Sequence, residues 1–493
     1  VTGSLPQCGR CRVTLDPDGT CWHCSRDDAS KQLDVWPEQP PAVHYAPEPE
    51  HADSPETIVV ATRRLPDEFW EARPLLKQIR QAAWATMTHP DAVLAAVLAR
   101  SAGMVPHGVK FDSGRGPSGS MNLFACLLAG SGIGKSEASR AASELVKVPH
   151  PLGTLDGKAD FEVFRDGVGV GTGEGLAEVF MGSKERDTGR VHKGGPLKGD
   201  PIMEKVRAQV RHNAYFYVDE GETLTKLMRD RQGAILGATL RTAWVGGTLG
   251  QANARDETTR MVPNGDYSMG LLVGFQPEVA AGLLSDVGPG TPQRFLWIGA
   301  QDTEMPEEDH EWPGPVDLPR WPKQGVVTFP PEIRQALRAQ TRQKHLGEIE
   351  VDPLDSHEPL MRCKLAALLC LLDGRMHVDR EDWRLSGLIW ATSCAIRDSL
   401  LRFQQRQADE EAERQLERKT REARAVTAAG LQASAAVERV AGRLKAFAED
   451  ESLTLGEARR KLAGRDRPLF DAAVEHAVKQ RWVWLDDNLL TAL

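Results

Sequence analysis

Residues 122–145 read N-L-F-A-C-L-L-A-G-S-G-I-G-K-S-E-A-S-R-A-A-S-E-L. The apolar run at the front predicts a buried strand and the tail predicts a helix. The eight residues between them, 129–136, are a glycine-rich loop ending in Lys-Ser, the order of a P-loop. Gly132 and Gly134 let backbone N–H groups approach phosphate oxygens with no Cβ in the way. The helix that follows offers its N-terminus to anions. Gly130, Ser131, Gly132, Ile133, Gly134, Lys135 and Ser136 are therefore the expected nucleotide-binding residues. Lys135 is placed to neutralise β- and γ-phosphates and Ser136 to ligate Mg²⁺. The first position of the pattern is Ala129 where glycine is usual, and Gly130 follows at once and keeps the turn accessible.

A second segment supports this reading. Residues 214–220, A-Y-F-Y-V-D-E, form an apolar strand ending in two acids. Asp219 at the end of such a strand is placed to hold Mg²⁺, and Glu220 beside it to polarise an attacking water. A strand ending in an ordinary solvated turn does not call for adjacent acids downstream of a P-loop. Glu174, in V-G-V-G-T-G-E-G-L, is a rival for the base, and Glu220 is preferred. Thr172 and Glu174 also fit a plain helix cap.

Working outward, the 493 residues suit about two to four domains. They carry 61 Lys and Arg against 70 Asp and Glu, a net charge of −9. A globally basic nucleic-acid coat is excluded, so DNA contact has to come from local patches or a pore. The apolar runs are far shorter than the roughly 20 residues a membrane-spanning helix needs. No charged-then-apolar leader opens the chain, and it reads as cytoplasmic, with no membrane partner.

Of the eight cysteines, four fall in the first 26 residues. Cys8-x2-Cys11 and Cys21-x2-Cys24 can present four thiolates to one tetrahedral Zn²⁺, a closed structural site. So short a segment has too little core to fold unaided, and the metal is its source of folding energy. The remaining four, Cys126, Cys363, Cys370 and Cys394, read as buried apolar residues.

The expected organisation is a zinc ribbon at 1–26, a Pro/Glu-rich linker at 27–65 and a helical N-terminal extension at 66–118. An α/β P-loop core at 119–330 and a helical lid at 331–403 come next. A charged connector helix at 404–430 leads to a winged helix at 431–493. The connector is charged nearly all round and cannot bury a broad face.

These residues resemble the AAA+ ATPases, in particular MCM-like helicases and the P-loop ATPases associated with primases in phages and integrative elements. The resemblance covers about residues 67–400 and implies an AAA+-like P-loop NTPase core with a helical lid. L-L-V-G-F-Q-P ends where that family carries Asn-Pro, which makes Gln276 the implied γ-phosphate sensor, a departure in residue type. T-P-Q-R-F-L-W-I matches the family's Arg-Phe pair and makes Arg294 the residue that reaches a neighbouring subunit's ATP. M-R-C-K-L-A-A-L-L offers Arg362 as a second sensor. A cation supplied in trans as charge builds on the γ-phosphoryl oxygens speeds hydrolysis and couples it to ring assembly.

Two loops are candidates for DNA. Residues 183–212 carry Lys184, Arg186, Arg190, Lys193, Lys198, Lys205, Arg207 and Arg211 in a Gly-rich insert. Residues 246–265 carry Arg255 and Arg260 where MCM-like rings send an insertion into the channel. Each also reads as a solvated loop. In the C-terminal module Arg459, Arg460, Lys461, Arg465 and Arg467 cluster at the start of an expected recognition helix, 466–481. The expectation is an ATPase driving a replicative helicase of a phage or mobile element. It would be a homo-hexamer with ATP, Mg²⁺ and Zn²⁺, single-stranded DNA in its pore and priming left to a separate primase. An ATP-switched origin-binding initiator or helicase loader is the alternative, and a protein-remodelling ATPase a third class.

Overall fold

A computed structural model describes residues 63–229, 233–251, 259–286 and 288–493. Cys8, Cys11, Cys21 and Cys24, the linker up to residue 62 and Arg255 lie outside the described residues.

Prolines open the first helices. Pro66 caps α1 (Asp67–Glu71), whose Asp67 and Glu68 face the positive end of the helix dipole. Pro74 and Pro90 are the first residues of α2 (Pro74–Ala85) and α3 (Pro90–Met104), where the missing N–H costs nothing. Every residue of α3 is buried. This helix lies on the central sheet and is covered by its neighbours. A Cβ on Gly270 would stand 1.8 Å from the Ala99 carbonyl oxygen, so helix and sheet touch backbone to backbone there.

β1 (Gly108–Asp112) and β2 (Leu123–Leu128) precede α4 (Lys135–Leu145). Then come β3 (Phe164–Val168), α5 (Gly173–Glu178), and the long hairpin of β4 (Met181–Val191) and β5 (Pro201–Gln209). β6 (Asn213–Val218) leads into α6 (Gly221–Arg229) and α7 (Gly233–Val245). A short hairpin, β7 (Leu249–Gln251) and β8 (Arg260–Val262), precedes β9 (Ser268–Phe275), α8 (Pro277–Leu284) and β10 (Phe295–Gly299). The central sheet has five strands in the order β10-β2-β9-β6-β3, all parallel. β2, β9 and β10 are buried at every position, which is why they read as unbroken apolar runs. The chain is mixed α/β with this parallel sheet at its centre. β2 lies between the two strands that come last, so the strand order reverses beside it. Open α/β sheets bind ligands at such a point, beyond the carboxyl ends of the strands.

β11 (Gln324–Thr328) pairs in parallel with β1, outside the central sheet. α9 (Pro331–Leu346) and α10 (Glu358–Leu372) follow, and then α11 (Arg380–Asp450), 71 residues long, or roughly 105 Å at 1.5 Å per residue. Asp379 and Asp382 form a capping box at its start. Buried cations fasten this helical region to the rest. Lys364, fully buried in α10, donates to the carbonyls of Ser120 (2.6 Å) and Trp244 (2.9 Å). Arg73, buried at the head of α2, donates to Glu381 at 2.8 Å and pairs with Asp373 and Asp382.

Residues 405–435 of α11 are exposed at every position, between a main core that ends at Phe403 and a second core that begins at Val440. The last helix of the expected lid, the expected connector and the first helix of the C-terminal unit are thus one continuous helix. The C-terminal unit adds β12 (Leu453–Thr454), α12 (Leu455–Lys461), α13 (Phe470–Lys479), β13 (Val483–Asp486) and β14 (Leu489–Ala492). Its sheet is antiparallel in the order β12-β14-β13. Among the described residues no helix is long and apolar enough to cross a membrane.

Candidate nucleotide site

The loop after β2 opens at the carboxyl edge of the sheet. Gly132 and Gly134 take φ of +75° and +57°, a left-handed backbone that favours glycine and that turns the chain into α4. Lys135 is the first residue of α4, and its Nζ donates back to the carbonyls of Ala129 (2.9 Å) and Gly130 (2.7 Å). Burial lowers its pKa, and Asp219 opposes that. The Ser136 hydroxyl donates to Asp219 Oδ1 at 2.7 Å, joining the loop to the end of β6.

The cleft around these groups measures about 290 Å³. It is lined by Ser131, Gly132, Ile133, Gly134, Lys135 and Ser136 from the loop together with Asp219, Glu220, Gly274 and Gln276. Gln276 directly follows β9 and is the residue before α8, and β9 runs between β2 and β6. That places Gln276 between the glycine loop and the acids.

Two residues that sequence reading passed over belong here. Tyr217 donates its hydroxyl to Asp219 Oδ1 at 2.7 Å. This bond is the largest cause holding the Asp219 pKa below its ordinary value, with Ser136 and Lys135 adding to it against burial. The signal was the two-residue spacing, which puts Tyr217 and Asp219 on one side of the strand. Gly274 is the other: a Cβ there would sit 2.6 Å from the Asp219 carbonyl oxygen.

Ser136 Oγ and the Asp219 carboxylate are hard oxygen donors side by side, which suits Mg²⁺. The Lys135 ammonium, the loop amides and the start of α4 suit a polyphosphate.

Other candidates lie elsewhere. Glu174 pairs with Arg260 at 3.0 Å, and Thr172 accepts from the Gly175 N–H as the cap of α5. Arg260 also reaches Glu178 (2.9 Å), which binds Arg207 as well. The two hairpins are thereby tied to α5, and Glu174 takes part in that tie rather than in the cleft. Arg294 immediately precedes β10, whose Phe295 is in register with Phe124 and whose Gly299 is in register with Leu128. It therefore stands at the amino edge of the sheet, away from the glycine loop. Its guanidinium lies 5.7 Å from the Trp244 ring and donates to the Gly290 carbonyl. Burial and the nearby Arg241 push its pKa down to about 10. Arg362 is enclosed in the helical region, 4.2 Å from the Trp383 ring centroid and 3.3 Å from Glu358. The structure brings neither arginine to the cleft.

On the hairpin β4–β5, Lys184, Arg190, Lys193, Lys198 and Lys205 are exposed. Arg186 pairs with Glu204, and Arg211 is buried and donates to the Val179 carbonyl at 2.8 Å. In the C-terminal unit Arg467 donates to the carbonyls of Leu462 and Arg460. Arg460 donates to the Gly456 carbonyl, and Arg459 lies over Phe470. No family model matches the chain, and no curated protein matches it in sequence.

Proposed function

We propose that the chain is an ATPase of AAA+ type that works as a ring-forming motor on DNA. The observation that carries this reading is the meeting of Lys135, Ser136, Asp219, Glu220 and Gln276 in one cleft, at the carboxyl ends of three adjacent strands. Lys135 would leave the carbonyls of Ala129 and Gly130 for the β- and γ-phosphates. Ser136 and Asp219 would hold Mg²⁺, which supplies neutralising charge when bound. Glu220, exposed in the cleft, would orient and deprotonate the attacking water. Gln276 would donate to the γ-phosphate.

Arg294 cannot serve its own site, because roughly 16 Å of strand separates it from the loop. In a ring it would serve the neighbour's. The exposed lysines of the β4–β5 hairpin would meet the phosphates of a single strand. The C-terminal unit, with its three-stranded sheet and short helices, fits a winged helix. Cys8, Cys11, Cys21 and Cys24 are proposed as a Zn²⁺ site.

The test is steady-state ATP hydrolysis with and without single-stranded DNA, in the parent and in Lys135→Ala. Hydrolysis stimulated by DNA and lost in the variant supports a motor. Slow hydrolysis that DNA leaves unchanged, with no strand displacement, supports an ATP-switched initiator instead. Failure to retain ATP in the presence of Mg²⁺ overturns both.

A further inference from the structure

His107, His212 and Asp266 come from three segments far apart in sequence and meet at the amino edge of the sheet. His107 directly precedes β1, His212 directly precedes β6, and Asp266 lies two residues before β9. β6 and β9 are parallel neighbours, so the residues that lead into them arrive side by side. The Ser268 N–H donates to the His212 carbonyl at 2.7 Å. The two imidazoles stack with centroids 4.3 Å apart and planes at 22°.

Both rings aim a nitrogen at one carboxylate oxygen. His107 Nε2 is 3.1 Å and His212 Nδ1 3.4 Å from Asp266 Oδ1. The potential ligand atoms of the three residues all lie within 4.8 Å of one another. Ligands held tetrahedrally at about 2.0–2.1 Å from Zn²⁺ stand about 3.3 Å apart. An ion pair with Asp266 accounts for His107, whereas His212 Nδ1 also lies 2.9 Å from the Asp266 carbonyl oxygen and 3.2 Å from Gln209 Nε2, so that both faces of Asp266 are met by imidazole nitrogen.

We propose that His107, His212 and Asp266 form a binding site for a divalent transition-metal ion of the Zn²⁺ class, with the remaining coordination open to water. Two imidazoles and one carboxylate favour such an ion over Mg²⁺ or Ca²⁺. The surroundings are arranged to match. Gln209 Nε2 donates to the carbonyls of Asp266 (2.8 Å) and Arg211 (3.1 Å). The Asp266 carbonyl therefore does not need a proton from His212, whose Nδ1 lies 2.9 Å away. With its proton on Nε2, His212 offers the Nδ1 lone pair to the metal in place of its 3.2 Å contact with Gln209 Nε2, and the stacked rings open so that both planes contain the ion. Lys110 is turned onto the Gly265 carbonyl at 2.7 Å.

The position gives the ion a mechanical role. Gln209 ends β5, and Asp266 follows shortly after β8. A bound metal would pin the roots of both hairpins and the starts of β6 and β9, whose far ends carry Asp219 and Gln276. The site itself does not depend on the nucleotide reading.

The experiment uses the full chain. Parent, His107→Gln, Asp266→Asn and Gln209→Ala are equilibrated with Zn²⁺, dialysed, and assayed for metal per chain, with far-ultraviolet circular dichroism as the folding check. Co²⁺ substitution separates the sites: thiolate charge-transfer absorption reports the cysteine set, and ligand-field absorption without it reports this one. His107→Gln and Asp266→Asn should each lose one ion per chain with the thiolate absorption unchanged. Gln209→Ala should keep the ion with affinity about 10–100-fold weaker. Equal metal content and equal Co²⁺ spectra in parent and folded variants overturn the proposal. Should the variants not fold, carbethoxylation of the parent decides. Zn²⁺ should protect His107 and His212 in peptides read by mass spectrometry, and no protection overturns the proposal.

Discussion

At the carboxyl edge of the central sheet, Ser136 and Tyr217 donate to Asp219 and Lys135 donates to the loop's own carbonyls, beside an open cleft. Away from the cleft the cations are committed: Arg207 and Arg260 to Glu178, Arg260 also to Glu174, and Arg294, at the amino edge, to Gly290 and the face of Trp244. The first region holds charge that an incoming anion and cation can take over with little rearrangement. The second holds charge that is already neutralised or packed, and it acts only if a partner draws it out. A ring would supply that partner by setting one subunit's amino edge against the next subunit's cleft.

Arg294 gives this contrast its sharpest test. If it works in trans, Arg294→Ala lowers ATP turnover by about 10³–10⁵-fold while nucleotide affinity changes little. Mixing it with Asp219→Asn should restore part of the activity, because some interfaces then carry one intact cleft and one intact arginine. Full activity in Arg294→Ala, or no recovery on mixing, would mean that the residue serves only the Trp244 contact. Lys135→Ala probes the other edge. It should lower turnover by about 10²–10³-fold through loss of one preorganised donor. A loss below tenfold, measured at saturating ATP, would break the reading of the cleft.

Tyr217→Phe asks how far the cleft is tuned. The phenol hydroxyl is the largest cause of the lowered Asp219 pKa, and burial works against it. Removing it leaves burial less opposed, so the carboxyl pKa rises. The carboxylate form required for Mg²⁺ is then lost at higher pH as the solution is acidified. The acid limb of kcat/KM should move upward in pH, while the rate on the neutral plateau, where Asp219 is ionised in both proteins, should change little. An acid limb that stays in place would show that Ser136 and Lys135 alone hold Asp219 ionised.

The same contrast explains what was legible in the amino-acid sequence. The glycine loop is contiguous, and its chemistry follows from backbone geometry that local sequence dictates, so Gly132, Gly134, Lys135 and Ser136 were legible. Asp219 and Glu220 were legible because an apolar strand ending in acids is also a local pattern. Glu174 has the same local signature, yet its fate depends on Arg260, which is remote in sequence. The three-residue cluster of His107, His212 and Asp266 was invisible for that reason: nothing local marks it, the parallel pairing of β6 with β9 brings His212 and Asp266 together, and His107 arrives from the separate segment before β1. The single helix from Arg380 to Asp450 was hidden by composition. Its apolar ends belong to two different cores, and its exposed middle reads as a separate connector.

The smallest effect concerns the basic hairpin, and it divides that hairpin in two. Lys193 and Lys198 lie exposed in the turn between β4 and β5, whereas Arg207 near the root is held by Glu178. Charge that is free contributes to counterion release when it meets a phosphate, and charge already paired within the protein contributes little. Lys193→Ala combined with Lys198→Ala should therefore flatten the salt dependence of single-stranded DNA binding. Each phosphate left without its lysine lowers the log–log slope by about 0.7, so the double variant should show a slope smaller by about 1.4. Arg207→Ala should leave the slope nearly unchanged and instead loosen the root, seen as faster amide exchange along β5. If the slope falls with Arg207→Ala and not with the two turn lysines, the strand runs past the root rather than the tip, and Glu178 is a gate that DNA opens rather than a fixed tie.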